Sequence, residues 1–180
     1  MKGKEMIYFC VISSPVGQMA IVSGGEKKGE IRKIYLPRRA DLRRAVLKDF
    51  PDAREADFSA DAFKSCFEGR KGSFPLKRLG LKGLNQFQKS VLVCLSKVPA
   101  GRVISYARLA EKAGFPGAAR AVGTAMAQNP FPIAIPCHRT VRSDGSLGGF
   151  GGGLKMKRAL LETEGVEFDK RGRIKKEFFL

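Results

Sequence analysis

The stretch "VISYARLAEKAGFPGAARAVGTAMAQNP" at residues 103–130 predicts two helices joined by a tight turn. Ser105 suits the N-cap of the first helix, because its hydroxyl can accept a hydrogen bond from a free backbone N–H. Gly114 suits the end of that helix, because glycine readily adopts the left-handed backbone found there. This order is typical of helix-turn-helix DNA readers, and also of helical hairpins that only pack.

The second helix of this pair carries one arginine on a surface of small residues. Arg120, Gly123, Thr124 and Ala127 recur at helical spacing and share one face. A helix that reads bases in the major groove normally carries several long polar side chains. Small residues would instead let the backbone enter a narrow groove, with Arg120 free to enter the base stack. Helix packing would explain the small residues but not the arginine, so we favour DNA.

The residues upstream of this pair are predicted to form a sheet followed by helices. Three β-rich runs separated by turn signals indicate an antiparallel meander: "MIYFCVISS" (6–14), "GQMAIVSGG" (17–25) and "EIRKIYLP" (30–37). Apolar residues at helical spacing predict two helices after them, one from Leu42 to Phe50 and one from Phe63 to Phe67. Asn85 is the predicted cap of a further helix, with Gln88 three residues on.

The segment 69–83 is rich in glycine and lysine and has little periodicity, which marks a domain boundary. We therefore expect an α/β domain over residues 1–78 and a mainly helical domain over residues 79–168. The basic tail at 169–180 is expected to be disordered or to contact DNA.

The chain has 180 residues and a formal net charge of +17, from 34 Lys and Arg against 17 Asp and Glu. This excess favours a polyanionic partner, with nucleic acid first, through counterion release. A charge that serves only solubility or heat resistance is the alternative. No apolar run approaches the roughly 18 residues that span a membrane, and "MIYFCVI" is too short for a signal peptide. We expect a cytoplasmic protein with reduced thiols, or a nuclear one in a eukaryote.

Four cysteines occur without CxxC spacing, and one histidine cannot complete a Cys2His2 set, so we expect neither a metal site nor a cofactor. Three of the cysteines lie on predicted strands or helix stripes and are interpreted as small buried apolar residues: Cys10, Cys66 and Cys94. The fourth, Cys137, stands next to the only histidine, His138, in "PFPIAIPCHRTVRSDG" (130–145).

This Cys-His pair is a candidate nucleophile with its base. A cysteine attacks as a thiolate, and His138 and Arg139 offer a neighbouring base and a positive charge. The apolar run predicts an extended strand, in which neighbouring side chains point to opposite faces. We therefore expect His138 to act on Cys137 through a water, or the strand to break at this point, which the three nearby prolines favour.

Two downstream segments complete the candidate site. The glycine-rich "GSLGGFGGGLK" (145–155) suits close approach of the backbone to a ligand, or a flexible loop, and matches neither a P-loop nor a dinucleotide fingerprint. "LLETEG" (160–165) places Glu162 and Glu164 at the negative end of a helix, where an unpaired carboxylate costs roughly 0.3–1 kcal/mol. We expect His138 or a nearby basic residue as the partner, with a solvated glutamate as the alternative.

Together these segments resemble the O6-alkylguanine-DNA alkyltransferases over residues 84–168. The motifs stand in the order of that family: "VISYARLA", "ARAVGTAMAQNP", "IPCHR", "GGF" and "LLETEG". The resemblance implies an N-terminal α/β domain that is ribonuclease H-like, with an antiparallel sheet plus helices. It also implies a mainly α, winged-helix-like DNA-binding domain after it.

The resemblance further implies repair of double-stranded DNA in which O6-alkylguanine, and also O4-alkylthymine, gives its alkyl group to Cys137 in a single turnover. His138 would deprotonate Cys137 through a water, and Glu164 would orient His138. Asn129 would fix this network, and Tyr106 would donate a proton to the leaving guanine. The residues implied to contact DNA lie on one helix in the minor groove: Arg120, which fills the hole left by the base, Ala119, Gly123, Thr124 and Ala127.

Three positions depart from the commonest pattern of this family, namely Thr140, Phe150 and Gly151, and they bear on how the base is held and which alkyl groups fit. A DNA-binding module without chemistry is the second hypothesis, and a cysteine hydrolase with repeated turnover is the third. The candidate residues around Cys137 count against the second, and the number of turnovers separates the third. We expect a monomer.

Overall fold

The computed structural model describes residues 5–25, 29–37, 41–57, 63, 67 and 74–180. The N-terminal part of the chain forms a four-stranded sheet with one helix against it. The strands are β1 (Ile7–Ser14), β2 (Gly17–Gly24), β3 (Glu30–Tyr35) and β4 (Arg54–Glu55), and the helix is α1 (Leu42–Asp49). The order across the sheet is β3-β2-β1-β4.

The first three strands pair in antiparallel fashion, so the predicted meander is confirmed. The sequence did not predict β4, which pairs parallel to β1 and is too short for a periodic signal. Helix α1 begins after its cap Asp41 and buries Leu42 and Val46 in a cluster with Val22 of β2. The second predicted helix, including Cys66, lies outside the described residues apart from Phe63 and Phe67.

Four α-helices and a small sheet lie within the described residues 74–180. The helices are α2 (Gln86–Leu95), α3 (Tyr106–Lys112), α4 (Ala119–Ala127) and α5 (Gly153–Thr163), and β5 (Ile104–Ser105) pairs parallel to β6 (Thr140–Val141). The predicted caps are confirmed, because the Asn85 side chain accepts from Gln88 N and the Ser105 hydroxyl accepts from Arg108 N. Gly114 has a φ of 89° and follows α3, as predicted.

The edge strand β3 is covered by segments of the second half of the chain. Ile34 N donates to Pro130 O over 2.8 Å, and Gly80 N donates to Ile31 O over 2.9 Å. The largest apolar cluster likewise joins Ile21 and Ile34 of the sheet to buried residues of α2, α3 and α4. The loop that begins at Asn129 is therefore held against the sheet.

The basic C-terminal segment is ordered, which excludes the first of the two alternatives for this tail, while a contact with DNA stays a prediction. Ile174 is buried in a cluster with Val103 and Val141, and Phe168 and Phe179 pack against it. Isolated bridges pair Val103 with Phe179 and Phe168 with Ile174. The apolar residues between the lysines and arginines account for the difference, because their burial removes them from water.

Candidate active site

The segment that carries Cys137 is a series of turns, so the predicted strand is wrong. The Asn129 side chain holds these turns, since its Nδ2 donates to Ile135 O over 3.1 Å and its Oδ1 accepts from Phe131 N over 3.0 Å. Ile133 has a φ of 73°, which a β-branched residue rarely adopts. Three prolines remove backbone donors here, so a strand ladder cannot form.

Cys137 begins a short 3-10 helix, Cys137–Arg139, and both Cys137 and His138 are buried. A 3-10 helix has about three residues per turn, so neighbouring side chains diverge by roughly a third of a turn rather than half. The sequence allowed either a water between His138 and Cys137 or a break in the strand, and the strand is broken here. Burial raises the pKa of the Cys137 thiol, while a hydrogen bond with Asn129 and the charge of Lys157 act in the opposite direction.

His138 and Arg139 both bind Glu164, the residue that caps the end of α5. His138 Nε2 lies 2.8 Å from Glu164 Oε1, and Arg139 Nε donates to Glu164 Oε2 over 2.9 Å. Arg139 Nη1 also donates to Val98 O over 2.6 Å. The sequence placed the charge of Arg139 beside the thiol, and this was wrong, because the guanidinium is committed to Glu164.

The protonation of this group follows from its contacts. Burial acts to raise the pKa of Glu164, but hydrogen bonds from His138 and Arg139 hold it at about 2. Burial lowers the pKa of His138, and Glu164 opposes this only in part. A neutral imidazole that donates from Nε2 to a carboxylate keeps its lone pair on Nδ1. That buried Nδ1 has no hydrogen-bond partner among the described residues.

Lys157 supplies the positive charge near the thiol, and the sequence analysis missed it. This fully buried side chain donates to Thr140 O over 2.6 Å, to Leu147 O over 2.5 Å and to Gly149 O over 3.3 Å. Burial lowers its pKa to about 8, and the charge of Cys137 acts to raise it. A signal was present, since Lys157 lies on the same helical stripe as Leu160, Leu161 and Glu164.

Cys137 lines a cavity of about 320 Å³ between α4 and the glycine-rich loop, which we call the thiol cavity. Tyr106, Met126, Gly149 and Phe150 are among its other lining residues. Burial raises the pKa of Tyr106, so its hydroxyl keeps its proton at neutral pH. A Cβ at Gly148 would lie 2.8 Å from the Tyr106 hydroxyl, so glycine is needed for this close approach.

A second cavity, of about 350 Å³, reaches Cys137 from the side of the sheet, and we call it the sheet-side cavity. Its lining includes Ile34 and Leu36 at the end of the meander, together with Pro132 and Phe150. Both halves of the chain therefore contribute to the surroundings of the thiol. No sequence pattern indicates this shared lining, because β3 and the loop after Asn129 are distant in the chain.

The face of α4 predicted to meet DNA is on the surface. Arg120, Thr124 and Ala127 are exposed and Gly123 is half-buried. Ala119, at the start of α4, is half-buried as well. The opposite face of the helix carries the buried residues Val122, Ala125 and Met126, as its spacing predicts. The Arg120 guanidinium has no hydrogen bond or ion pair with any described residue.

Within the residues that the structure describes, no helix is both long and apolar enough to traverse a bilayer. In the same residues no three His, Cys, Asp or Glu side chains group closely enough to hold a metal ion.

A known protein family and its members match long stretches of this chain. The family described as "6-O-methylguanine DNA methyltransferase, DNA binding domain" matches residues 86–166. A methylated-DNA–protein-cysteine methyltransferase of Mycobacterium tuberculosis is 36% identical over 162 residues, which are 88% of this chain and 93% of the relative. The chain belongs to the O6-methylguanine-DNA methyltransferase family. A relative of the same name from Methanothermobacter thermautotrophicus is 40% identical over 109 residues, 61% of each chain.

Solved structures of O6-methylguanine-DNA methyltransferases have the same fold. The crystal structure of Mycobacterium tuberculosis OGT in complex with DNA superposes with a TM-score of 0.71 at 32% identity, covering 87% of this chain and 92% of that one. The enzyme from Pyrococcus kodakaraensis gives a TM-score of 0.65 at 30% identity, covering 88% and 99%. The two-domain α/β architecture expected from the sequence is therefore that of this methyltransferase family, and DNA is the partner of one solved relative.

Proposed function

We propose that this protein repairs double-stranded DNA by moving the alkyl group of O6-alkylguanine onto Cys137. The observation that carries the proposal is the buried thiol of Cys137, which lines the thiol cavity and is followed in the chain by a neutral histidine that Glu164 orients. Cys137 sits in a sheltered pocket, so a base must leave the duplex to reach it. O4-alkylthymine would be a second substrate.

The first step is activation of the thiol. Because burial raises the pKa of Cys137, the thiol is protonated at rest and needs a base. His138 Nδ1 has a free lone pair and takes this proton through a water. The imidazolium that forms is stabilised by the carboxylate of Glu164, and the thiolate by the charge of Lys157.

The second step is transfer. The thiolate attacks the alkyl carbon, so an S–C bond forms while the C–O6 bond breaks and its electron pair goes to the guanine. Tyr106 donates its hydroxyl proton to the guanine, which is the leaving group of the transfer and stays in the repaired strand. The product at Cys137 is a thioether, which has no route back to the thiol in this site, so each molecule acts once.

The remaining assignments concern recognition and organisation. Arg120 would occupy the space that the flipped base leaves, with Ala119, Gly123, Thr124 and Ala127 against the minor groove. Asn129 would fix the loop that presents Cys137. We also propose a ribonuclease H-like domain at 1–78, a winged-helix-like domain at 79–168, and a monomer. A thiol that must stay reduced and reach DNA fits the cytoplasm, or the nucleus of a eukaryote.

Intact-protein mass after incubation with O6-methylguanine duplex tests the proposal. We expect at most one added methyl per chain, mapped to Cys137 by peptide analysis. Cys137→Ala should gain none while it still binds DNA, and the matched control Cys94→Ala should gain one. Repeated turnover would instead indicate a hydrolase, and binding without any added mass would indicate a DNA-binding module without chemistry.

A further inference from the structure

A third cavity adjoins the thiol cavity on the side of the DNA-facing helix, and we call it the entrance cavity. It has a volume of about 470 Å³ and is open to solvent between α4 and the segment that follows β6. Tyr106, Gly123 and Gly149 line both cavities, so the two are neighbours. A strand whose nucleotide enters the thiol cavity from the side of α4 would lie along the entrance cavity.

Two arginines line the entrance cavity, Arg120 from α4 and Arg142 from the segment after β6. Both are exposed, and neither guanidinium makes a hydrogen bond or an ion pair with a described residue. The described lining includes no carboxylate. The cavity thus presents two positive charges without an internal partner, which is the electrostatic character that an anion needs.

Asp144, the carboxylate two residues after Arg142, is already engaged. Its Oδ1 accepts from the backbone N and the hydroxyl of Ser146, over 3.0 and 2.7 Å, and its Oδ2 lies 3.7 Å from Arg173 Nη2. The hydrogen bonds from Ser146 are the main cause of its lowered pKa, to which the charge of Arg142 also contributes. Arg142 is close enough to act on Asp144 electrostatically, yet Asp144 leaves its guanidinium free to bind outward.

The backbone that carries Arg142 is a closed turn. Arg142 N donates to Ser146 O over 2.9 Å, and Gly145 N donates to Arg142 O over 3.0 Å. Gly145 has a φ of 84° and is buried, so the turn depends on glycine at this point. Arg142 therefore extends from a defined position rather than from a loose loop.

The C-terminal segment supports this turn from behind. Ile174 N donates to Gly145 O over 2.9 Å, and Arg173 Nη1 donates to Asp144 O over 3.3 Å. Ile174 is itself buried in the cluster with Val103 and Val141. The segment expected to be disordered or to touch DNA thus positions the turn that bears Arg142.

We propose that Arg142 binds a phosphodiester of the damaged strand beside the flipped nucleotide. A guanidinium offers a planar fork that donates two parallel hydrogen bonds to phosphate oxygens. Such a contact positions the strand without reading its sequence, which suits repair at any site. This inference rests on the proposed function, and it assigns to the turn after β6 a binding role that complements the helix face around Arg120.

The first test compares Arg142→Ala with Lys97→Ala, because Lys97 is exposed and lines none of the described cavities. Duplex affinity is measured at several salt concentrations. We expect Arg142→Ala to reduce the slope of log K against log salt by about one, and Arg142→Lys to retain most of it. Lys97→Ala should keep the wild-type slope. Equal slopes for Arg142→Ala and Lys97→Ala would overturn the inference.

The second test places a single uncharged methylphosphonate at successive positions around O6-methylguanine in the duplex. At one position within a few nucleotides of the lesion, the methylphosphonate should weaken DNA binding by the wild type. The same substitution should not weaken DNA binding by Arg142→Ala further. Additive losses at every position would contradict a direct contact. If the wild type transfers no methyl group, the proposed function itself is overturned. If the wild type is active but Arg142→Ala binds DNA as the wild type does, only the role of Arg142 is overturned.

Discussion

Two neighbouring regions of the molecule differ in whether their charged side chains have partners within the protein. In the buried region around His138, every charged side chain has an internal partner: Glu164 binds His138 and Arg139, and Lys157 binds three backbone carbonyls. On the surface above it, Arg120 and Arg142 have no partner among the described residues. Tyr106, Gly123 and Gly149 line both the thiol cavity and the entrance cavity, where the two surface arginines lie.

The difference reflects the solvent that each region meets. A charge inside the protein is costly unless it is paired, so the groups that perform chemistry must be neutralised and oriented in advance. A charge on the surface stays hydrated until a polyanion arrives, and its counterions are released on binding. Substitutions in the first region should therefore change the transfer step itself, whereas substitutions in the second should change only how DNA is presented.

Glu164→Gln should have the largest effect. The amide cannot stabilise the imidazolium that forms when His138 takes the thiol proton, so we expect the single-turnover rate to fall by roughly 100-fold or more. The fall should be similar for duplex DNA and for a free O6-alkylguanine base. Rapid-quench kinetics on both substrates measures it, and a loss seen only with duplex would place Glu164 in DNA presentation instead.

Lys157→Met should have the next largest effect, with a change in pH dependence. The lysine charge acts to lower the pKa of Cys137, so its removal raises that pKa and moves the rising limb of the pH-rate profile to higher pH. Lys157→Arg keeps the charge and serves as control. The Met variant should also lose about 1–3 kcal/mol of unfolding free energy for each carbonyl left without a donor. An unshifted profile in a folded Met variant would refute the electrostatic role.

Arg120→Ala should lower repair of duplex DNA by about tenfold, since about 1.4 kcal/mol of the few kcal/mol that unstacking costs would lose its compensation. Transfer from the free base should suffer less. Glu164→Gln is expected to show no such difference between the two substrates, so the two variants together test the division between the regions. Equal losses on both substrates would remove Arg120 from the role of supporting the flipped state.

The smallest effect concerns the backbone that presents the thiol. Ile133 has a φ of 73°, a conformation that costs an L-residue roughly 1–2 kcal/mol and glycine almost nothing. Ile133→Gly and Ile133→Ala remove nearly the same buried side chain, and Gly is expected to be more stable than Ala by about 1 kcal/mol. Chemical denaturation of the two variants measures this. If Ile133→Ala is instead more stable than Ile133→Gly, the loop in these variants relaxes away from the positive φ at this position.

Local signals in the sequence predicted local structure well. The caps Asn85 and Ser105 and the stop at Gly114 act over three or four residues, and each was found where the sequence placed it. The loop up to Cys137 was mistaken for a strand because its apolar composition hides turns that the Asn129 side chain stabilises. The helical stripe of α5 indicates that Lys157 is buried, but the roles of Lys157 and Arg139 depend on carbonyls and a carboxylate from distant segments, which the stripe does not record.

The Lys157 contacts tie the glycine-rich loop to the charge that favours the thiolate. A protonated amine has three N–H donors, which matches the carbonyls of Thr140, Leu147 and Gly149. Because the thiol is neutral at rest, these carbonyls hold the amine in place before any charge forms on the sulfur. Deprotonation of Lys157 would leave two donors for three carbonyls, so a loss of the charge near Cys137 would also weaken the loop that lines the thiol cavity.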